Sequence, residues 1–198
     1  MRAKQGPSFK AWKIRWLLGL PKGARFQTRR PCGEPKDGHY PAPQYRPGNV
    51  YYLREALHCR TLSGARPRGA MREADRSEVV VGGFMMIWRW RRDRLSELFM
   101  PRVAARLFAR CMSVRREALQ DITAKDVQAE GGKFREPELI IIPAGISEAQ
   151  LEAFIAFKAR EQFKEIWDEI HGEGSWDRNP DVWAYEFEKL GRPGGGGQ

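Results

Sequence analysis

One short basic stretch, RFQTRR at positions 25–30, holds the residues with the clearest capacity for chemistry. Guanidinium groups pair with phosphates in a planar fork and stack on bases, and the threonine supplies a hydroxyl group. The stretch has the pattern of an extended strand, in which consecutive side chains point to opposite faces. We therefore expect Thr28 and Arg30 on one face of this strand and Arg29 on the other.

The charge of the chain is distributed unevenly along its length. Residues 1–116 carry 26 Lys+Arg against 8 Asp+Glu, whereas residues 117–198 carry 9 against 17, within a formal net charge of +10. The first part is therefore +18 and the second −8. Such a basic part attracts polyanions, because neutralised phosphates release counterions. Two plainer interpretations stay open: a solvated basic face, and ion pairs of Arg29 and Arg30 with carboxylates of the acidic part.

The composition is that of a folded protein without an evident metal or cofactor site. With 198 residues, 41% hydrophobic and 11% aromatic, the chain is long enough to bury a core as one domain, or as one domain with an insertion. Its three cysteines show no paired spacing and its three histidines are scattered, which favours reduced thiols in a cytoplasm and no bound metal. No apolar run reaches the roughly 18 residues of a membrane span, so no membrane partner is expected.

Helical and strand patterns alternate along the chain. The sequence predicts a helix at 11–20, strands at 24–30 and 49–57, a bent strand at 79–88, a helix at 123–130 with Thr123 as N-cap, a short strand at 139–142, a helix from Ser147 to about Ile170 opened by a capping box with Gln150, and a last strand at 182–187. Residues 102–116 favour a helix by propensity alone. The apolar residues of the long helix fall at helical spacing, which predicts one buried face made of Leu151, Phe154, Ile155, Phe163, Ile166, Trp167 and Ile170.

Five short blocks occur in an order that carries more information than any single block. They are GARFQTRRP at 23–31, YRPGNVYYLRE at 45–55, MPRVAARL at 100–107, LQDIT at 119–123 and GSWDRNPDVWAYEFE at 174–188. Together they resemble the ASCH (activating-signal-cointegrator homology) domain family, in particular its small phage and prophage members. The resemblance implies an α+β fold, a PUA-like β-barrel with flanking helices, in which residues 102–116 form a central strand.

The resemblance also implies a domain organisation. A flexible basic lead at 1–15 precedes an ASCH domain at 16–190, which has loop insertions at about 32–47, 60–78 and 132–147. A flexible glycine-rich tail follows at 191–198. A basic, soluble chain of this family is expected in the cytoplasm of a bacterial host cell.

In PUA-like barrels the family's basic block lines a cleft that binds RNA or a nucleoside. Carried over residue by residue, the resemblance places Arg25, Thr28 and Arg30 in this cleft, with Arg29 adjacent. The nucleic-acid-binding set expected from the basic blocks is Lys22, Arg25, Thr28, Arg29, Arg30 and Arg54. The implied partner is RNA or a modified nucleoside.

One branch of the family is similar to small amidohydrolases that act on acetylated cytidine. Their threonine maps to Thr28 and their glutamate to Glu130, which would be the catalytic residues if the chain were an enzyme. Their lysine maps to Arg25, whose guanidinium stays protonated and cannot act as a base, so binding without catalysis is the favoured prediction. Lys22, three positions before Arg25, could take the place of that lysine only if the register of the loop shifted. A further alternative is a phage accessory protein whose basic face contacts another protein.

Overall fold

The computed structural model describes residues 3–60, 68–131 and 147–191. Its elements, in chain order, are β1 (Lys4–Ser8), α1 (Ala11–Gly19), β2 (Arg25–Pro31), β3 (Val50–Arg54), β4 (Leu57–Arg60), β5 (Gly69–Arg72), β6 (Val80–Val81), β7 (Phe84–Met85), β8 (Arg94–Leu95), β9 (Phe108–Ala118), α2 (Ala124–Ala129), α3 (Glu148–His171) and β10 (Asp181–Leu190). Short 3₁₀ turns lie at Glu97–Phe99, Arg102–Ala104 and Leu119–Asp121. Among these residues no helix is long and apolar enough to cross a membrane.

The chain divides into two compact units, neither of which is a continuous stretch. Unit 1 contains Met1–Ala24, Pro47–Cys111 and Glu188–Gln198, and unit 2 contains Arg25–Arg46 and Met112–Phe187. The α+β class predicted from the sequence is confirmed. In the described residues the sheets do not close into a barrel, because β1 in unit 1 and β2 in unit 2 are edge strands.

Unit 1 is built from three small sheets around one apolar core. β1 pairs in parallel with β3, which pairs antiparallel with β9. A second sheet has the order β5-β4-β8, and β6 and β7 form a hairpin. The core contains Leu57, Val79, Trp88, Met100 and Phe108 among its buried side chains.

The lead that we predicted to be flexible is instead ordered as β1. Gly6 makes this possible, because a Cβ at this position would lie 2.6 Å from the carbonyl oxygen of Tyr52. The buried guanidinium of Arg54 then donates from Nε to the Gly6 carbonyl at 3.0 Å. Pro7 is tolerated because β1 is an edge strand. Glycine and proline in sequence indicate a loop, and only the pairing with β3 overrides that pattern.

Helix α1 forms as predicted, and its C-terminal end has a partner from the far end of the chain. Lys189 of β10 extends its Nζ to the carbonyl oxygens of Leu17, at 2.7 Å, Leu18, at 3.2 Å, and Leu20. Burial lowers the pKa of Lys189. An ammonium group at a helix C-terminus satisfies carbonyls that have no partner within the helix and interacts favourably with the helix dipole.

Unit 2 combines part of a sheet with two helices. Its strand order is β9-β10-β2, and α2 and α3 pack against each other. The predicted N-cap Thr123 is confirmed, and it forms a capping box with Asp126 at the start of α2. The predicted capping box of Ser147 with Gln150 at the start of α3 is also confirmed. The core of this unit includes Leu119, Ile122, Val127, Phe163, Trp167, Trp176 and Val182.

Two further predictions are corrected in part, and two others are not tested. The strand predicted at 102–116 runs from Phe108 to Ala118, and its first residues form the 3₁₀ turn at Arg102–Ala104. The insertion predicted at 60–78 contains β5, which pairs with β4; residues 61–67 lie outside the described residues. The strand predicted at 139–142 and the tail at 192–198 also lie outside them.

The apolar face of α3 is buried along only half of its length. Phe163 and Trp167 are buried, as predicted, whereas Phe154, Ile155 and Ile170 are between 36% and 47% exposed. Helical spacing identifies which residues share a face, but it does not show how far along the helix a partner extends.

Candidate nucleic-acid interface

The two faces of β2 have different surroundings, as the alternation of its side chains predicts. Arg29 lies on one face and is buried, with its side chain fully removed from solvent. Arg30 lies on the other face, half-buried, with its guanidinium carbon 5.8 Å from the centroid of the Tyr45 ring. The two adjacent arginines therefore serve different purposes.

Arg29 is at the centre of a buried carboxylate cluster within unit 2. Its guanidinium lies 2.7 Å from Glu117 of β9, 3.4 Å from Asp126 of α2 and 3.1 Å from Glu130 at the end of α2. Arg115 adds a second cation, 2.5 Å from Glu117 and 3.1 Å from Asp126. Of the two plain interpretations of the basic stretch, ion pairing is the one that the structure shows for Arg29.

Electrostatics in this cluster keep Asp126 charged. Burial acts to raise the pKa of Asp126, but hydrogen bonds from Thr123, the charge of Arg29 and a hydrogen bond from Gln27 together lower that pKa to about 2. The Asp126 carboxylate is therefore ionised at every pH above the acid range. This cluster fixes α2 against β2. Because the Arg29 side chain is fully buried in it, the guanidinium group is not accessible to a phosphate.

The opposite face of β2 continues into a surface that we call the arginine–tyrosine face. Its members are Arg30, Cys32, Tyr40, Tyr45, Arg116, Asp181 and Tyr185. The Cys32 amide donates to the Asp181 carbonyl at 2.9 Å, which joins the end of β2 to the start of β10. The Tyr40 hydroxyl donates to the Asp181 carboxylate. Arg116 lies with its guanidinium carbon 4.6 Å from the centroid of the Tyr40 ring.

Two tyrosines hold Arg30 in place from below. Tyr45 is fully buried and packs edge-on against Tyr185 with ring centroids 4.9 Å apart. The Tyr185 hydroxyl accepts a hydrogen bond from the Gln44 amide at 3.0 Å. Arg30 therefore packs against Tyr45, and Tyr45 is in turn held by Tyr185.

Arg30 and Arg116 differ from the other arginines of these strands. Arg25 pairs with Glu186 at 3.1 Å, and Arg29 and Arg115 belong to the carboxylate cluster. Within the part of the chain that the structure describes, Arg30 and Arg116 have no carboxylate partner, and each lies over a tyrosine ring. No carboxylate of the described residues therefore pairs with either charge.

Other predicted site residues lie elsewhere. Lys22 and Arg54 belong to unit 1: Lys22 is exposed, and Arg54 is buried and donates to the carbonyls of Gly6 and Leu98. Arg54 therefore holds the backbone of unit 1 together. The adjacent Glu55 does not pair with it, but with Arg106 at 2.7 Å and Arg72 at 3.6 Å.

The two residues mapped as catalytic do not meet. Thr28 is buried and shares the face of Arg30, whereas Glu130 contacts Arg29 on the other face of β2. β9 shows the same division, because Glu117 belongs to the carboxylate cluster and the adjacent Arg116 to the arginine–tyrosine face. A hydroxyl and a carboxylate on opposite faces of one strand cannot share a proton, so nothing in this geometry favours the amidohydrolase alternative.

No protein-family model, curated protein or solved structure matches this chain. The resemblance to ASCH domains therefore stays a prediction from the five ordered blocks. The cysteine of the site gives no support to covalent chemistry either. Burial, reinforced by the charge of Asp181, raises the pKa of Cys32 to about 11, so the thiol stays protonated.

His171, at the end of α3, is a site residue that sequence reasoning did not assign. Its ring centroid lies 4.0 Å from that of Trp167. Burial of the ring and then the positive charge of Arg30 lower the pKa of His171. The sequence does not reveal this influence of Arg30, because the two residues are 141 positions apart.

Replacing Arg30 by glutamine is expected to raise the pKa of His171, because a positive charge that disfavours the imidazolium is removed. The rise is incomplete, since burial remains. Titration of the imidazole NMR signals, assigned with a His171→Gln variant, measures the change. Arg25→Gln serves as the control, because Arg25 is paired with Glu186 and does not act on His171. Equal shifts in both variants would show that Arg30 is not the source of the effect.

Proposed function

We propose that this chain binds RNA, or a modified nucleoside within RNA, at the arginine–tyrosine face of unit 2. One observation carries the proposal: Arg30 and Arg116 lack a carboxylate partner among the described residues and each rests on a tyrosine ring. A guanidinium without a carboxylate partner among the described residues favours phosphate, and its own planar group can stack on a base.

The neighbouring arginines strengthen this argument by contrast. Arg25 and Arg115 are exposed, yet each is already paired with carboxylates. On β2 the paired residues Arg25 and Arg29 lie on one face, and Arg30 lies on the other. Thr28 and Arg30 share one face of β2 and are two of the three residues that the resemblance to ASCH domains assigns to a cleft. Arg25, the third, lies on the opposite face and pairs with Glu186.

Binding is tested with a short fluorescein-labelled single-stranded RNA and the purified chain, by fluorescence anisotropy over a range of salt concentrations. The variant is Arg30→Gln/Arg116→Gln, and the matched control is Arg25→Gln/Arg115→Gln, which removes the same charge from exposed, paired arginines. We expect the first variant to weaken binding about tenfold for each arginine lost, since a hydrogen bond to a charged group contributes roughly 1.5–3 kcal/mol.

The salt dependence and His171 give independent readouts. Losing two phosphate contacts reduces the slope of log K against log salt by about 1.4 for a single strand. RNA bound at Arg30 adds negative charge near His171 and raises its pKa in the natural chain, but not in the Arg30→Gln/Arg116→Gln variant. Equal loss of affinity in the variant and its control, or no binding even at low salt, would remove this face as an RNA site.

A further inference from the structure

An apolar groove of about 440 Å³ opens on unit 1, and none of the site residues assigned above lines it. Its lining includes Val81, Phe84, Met86, Ile87, Trp90 and Val103. Phe84 is 80% exposed and Val103 58% exposed, so the groove presents apolar side chains to solvent. Apolar surface of this kind marks a binding site more often than a fold requirement.

The groove is built on a rigid support. Trp88 is buried and donates from Nε1 to the carbonyl of Arg92 at 2.9 Å, which closes the turn between them. Trp90 packs edge-on against Trp88 with ring centroids 4.9 Å apart. Gly82 and Gly83 form the turn of the β6–β7 hairpin with positive φ angles of 60° and 84°, and the turn carries Phe84.

Arginines border this groove in the sequence. Arg89 lines it, Arg91 follows the lining residue Trp90, and Arg102 lies between the lining residues Pro101 and Val103. Arg89, Arg91, Arg92 and Arg102 are exposed. None of these four has an ion pair within residues 3–60, 68–131 and 147–191, whereas Arg60, Arg68 and Arg94 in the same unit do.

The formal charge of unit 1 identifies the partner's chemistry. Its residues include 21 Lys+Arg and 7 Asp+Glu, a net charge of +14, whereas unit 2 has 14 and 18, a net charge of −4. Exposed aromatic and apolar side chains interleaved with unpaired arginines suit a strand that offers bases and phosphates alternately. A purely apolar partner would leave these four cations without a counterion.

We propose that this groove binds single-stranded RNA, with bases against Phe84 and Trp90 and phosphates on the bordering arginines. The inference rests on the proposed function, because it extends RNA binding from unit 2 to a second surface. It adds a sequence-tolerant platform, since every base has a face that can stack. Binding in the groove is therefore a separate event from binding at the arginine–tyrosine face.

The test compares three substitutions of Phe84 in the full chain, with a labelled single-stranded RNA as the probe. Phe84→Trp keeps a ring and is expected to retain affinity. Phe84→Leu keeps apolar character without a ring, and Phe84→Ser keeps neither; both are expected to weaken binding roughly fivefold or more through lost stacking. Equal affinity of the leucine and tryptophan variants would overturn base stacking and favour a protein partner for the groove.

A second experiment removes two positive charges near the groove and measures the salt dependence of RNA binding. Arg91→Gln/Arg92→Gln is expected to reduce the salt slope by about 1.4. Arg60→Gln/Arg68→Gln is the matched control, because these exposed arginines of the same unit are paired with Glu78 and Asp93. Equal reductions in both variants would overturn the groove as a phosphate site.

The two proposals fail in different ways. RNA binding that depends on Arg30 and Arg116 but not on Phe84, Arg91 or Arg92 overturns only the groove. Dependence on the groove residues alone overturns the arginine–tyrosine face and supports the groove. The same affinity loss with a DNA strand of identical sequence would overturn a preference for RNA in the groove.

Discussion

Replacing Arg29 by methionine is expected to lower the free energy of unfolding by about 3–5 kcal/mol, the cost of leaving a buried charge without its partner. Arg29 is the central cation for Glu117, Asp126 and Glu130, and its own side chain is fully buried. Methionine fills a similar volume, so the loss reflects charge and hydrogen bonding rather than a cavity. Glu130 is affected most, because Arg115 remains beside the other two carboxylates. Urea denaturation measures the change.

Arg25→Met is the matched control in the same strand. Its ion pair with Glu186 is exposed, so the expected loss is below about 1 kcal/mol. Similar losses for Arg25 and Arg29 would contradict the role assigned to the cluster.

The pH dependence of the free energy of unfolding tests the stabilising contribution assigned to Asp126. Asp126 has a folded pKa of about 2, below its ordinary value of 3.8, so its contribution is fully present above pH 3.8 and is lost as the pH falls through about 2. In Arg29→Met the pKa of Asp126 rises, and this acid-dependent loss shrinks and moves to higher pH.

Replacing Glu55 by alanine is expected to lower the free energy of unfolding by about 3 kcal/mol. Glu55 is buried and accepts two hydrogen bonds from Arg106, at 2.7 and 2.8 Å, with Arg72 3.6 Å away. Alanine leaves two guanidinium groups without this carboxylate, although Asp75 still holds Arg106. Thermal and urea denaturation measure the loss.

Glu78→Ala is the control for Glu55. Glu78 pairs with Arg60 at an exposed position, where an ion pair contributes about 0–1 kcal/mol. The double variant Glu55→Leu/Arg106→Met should recover part of the stability lost by Glu55→Ala, because no cation remains unpaired at Arg106. A double variant less stable than either single variant would contradict the pairing.

Features that depend on a few neighbouring residues could be predicted from the sequence. The caps of α2 and α3 are set by Thr123 with Asp126 and by Ser147 with Gln150, each only three positions apart. The strand alternation of β2 depends on equally local geometry, and it correctly separated Arg29 from Arg30.

Features that depend on distant partners could not be predicted. Arg29 was assigned to nucleic acid because Glu117 and Glu130, its partners in the fold, lie 88 and 101 positions away. The sequence shows that an arginine is present, but not whether a carboxylate neutralises it. The sequence does not reveal the groove on unit 1 for the same reason, because the exposure of Phe84 and Val103 depends on which distant residues pack beside them.

The contact between Lys189 and the end of α1 forms late during synthesis of the chain. A ribosome releases α1 first, and the lysine that satisfies the carbonyls of Leu17 and Leu18 emerges about 170 residues later. Until then water is the partner of that helix end. Unit 1 therefore cannot complete its folding until the strand that carries Lys189 has emerged, after all of unit 2 has been synthesised.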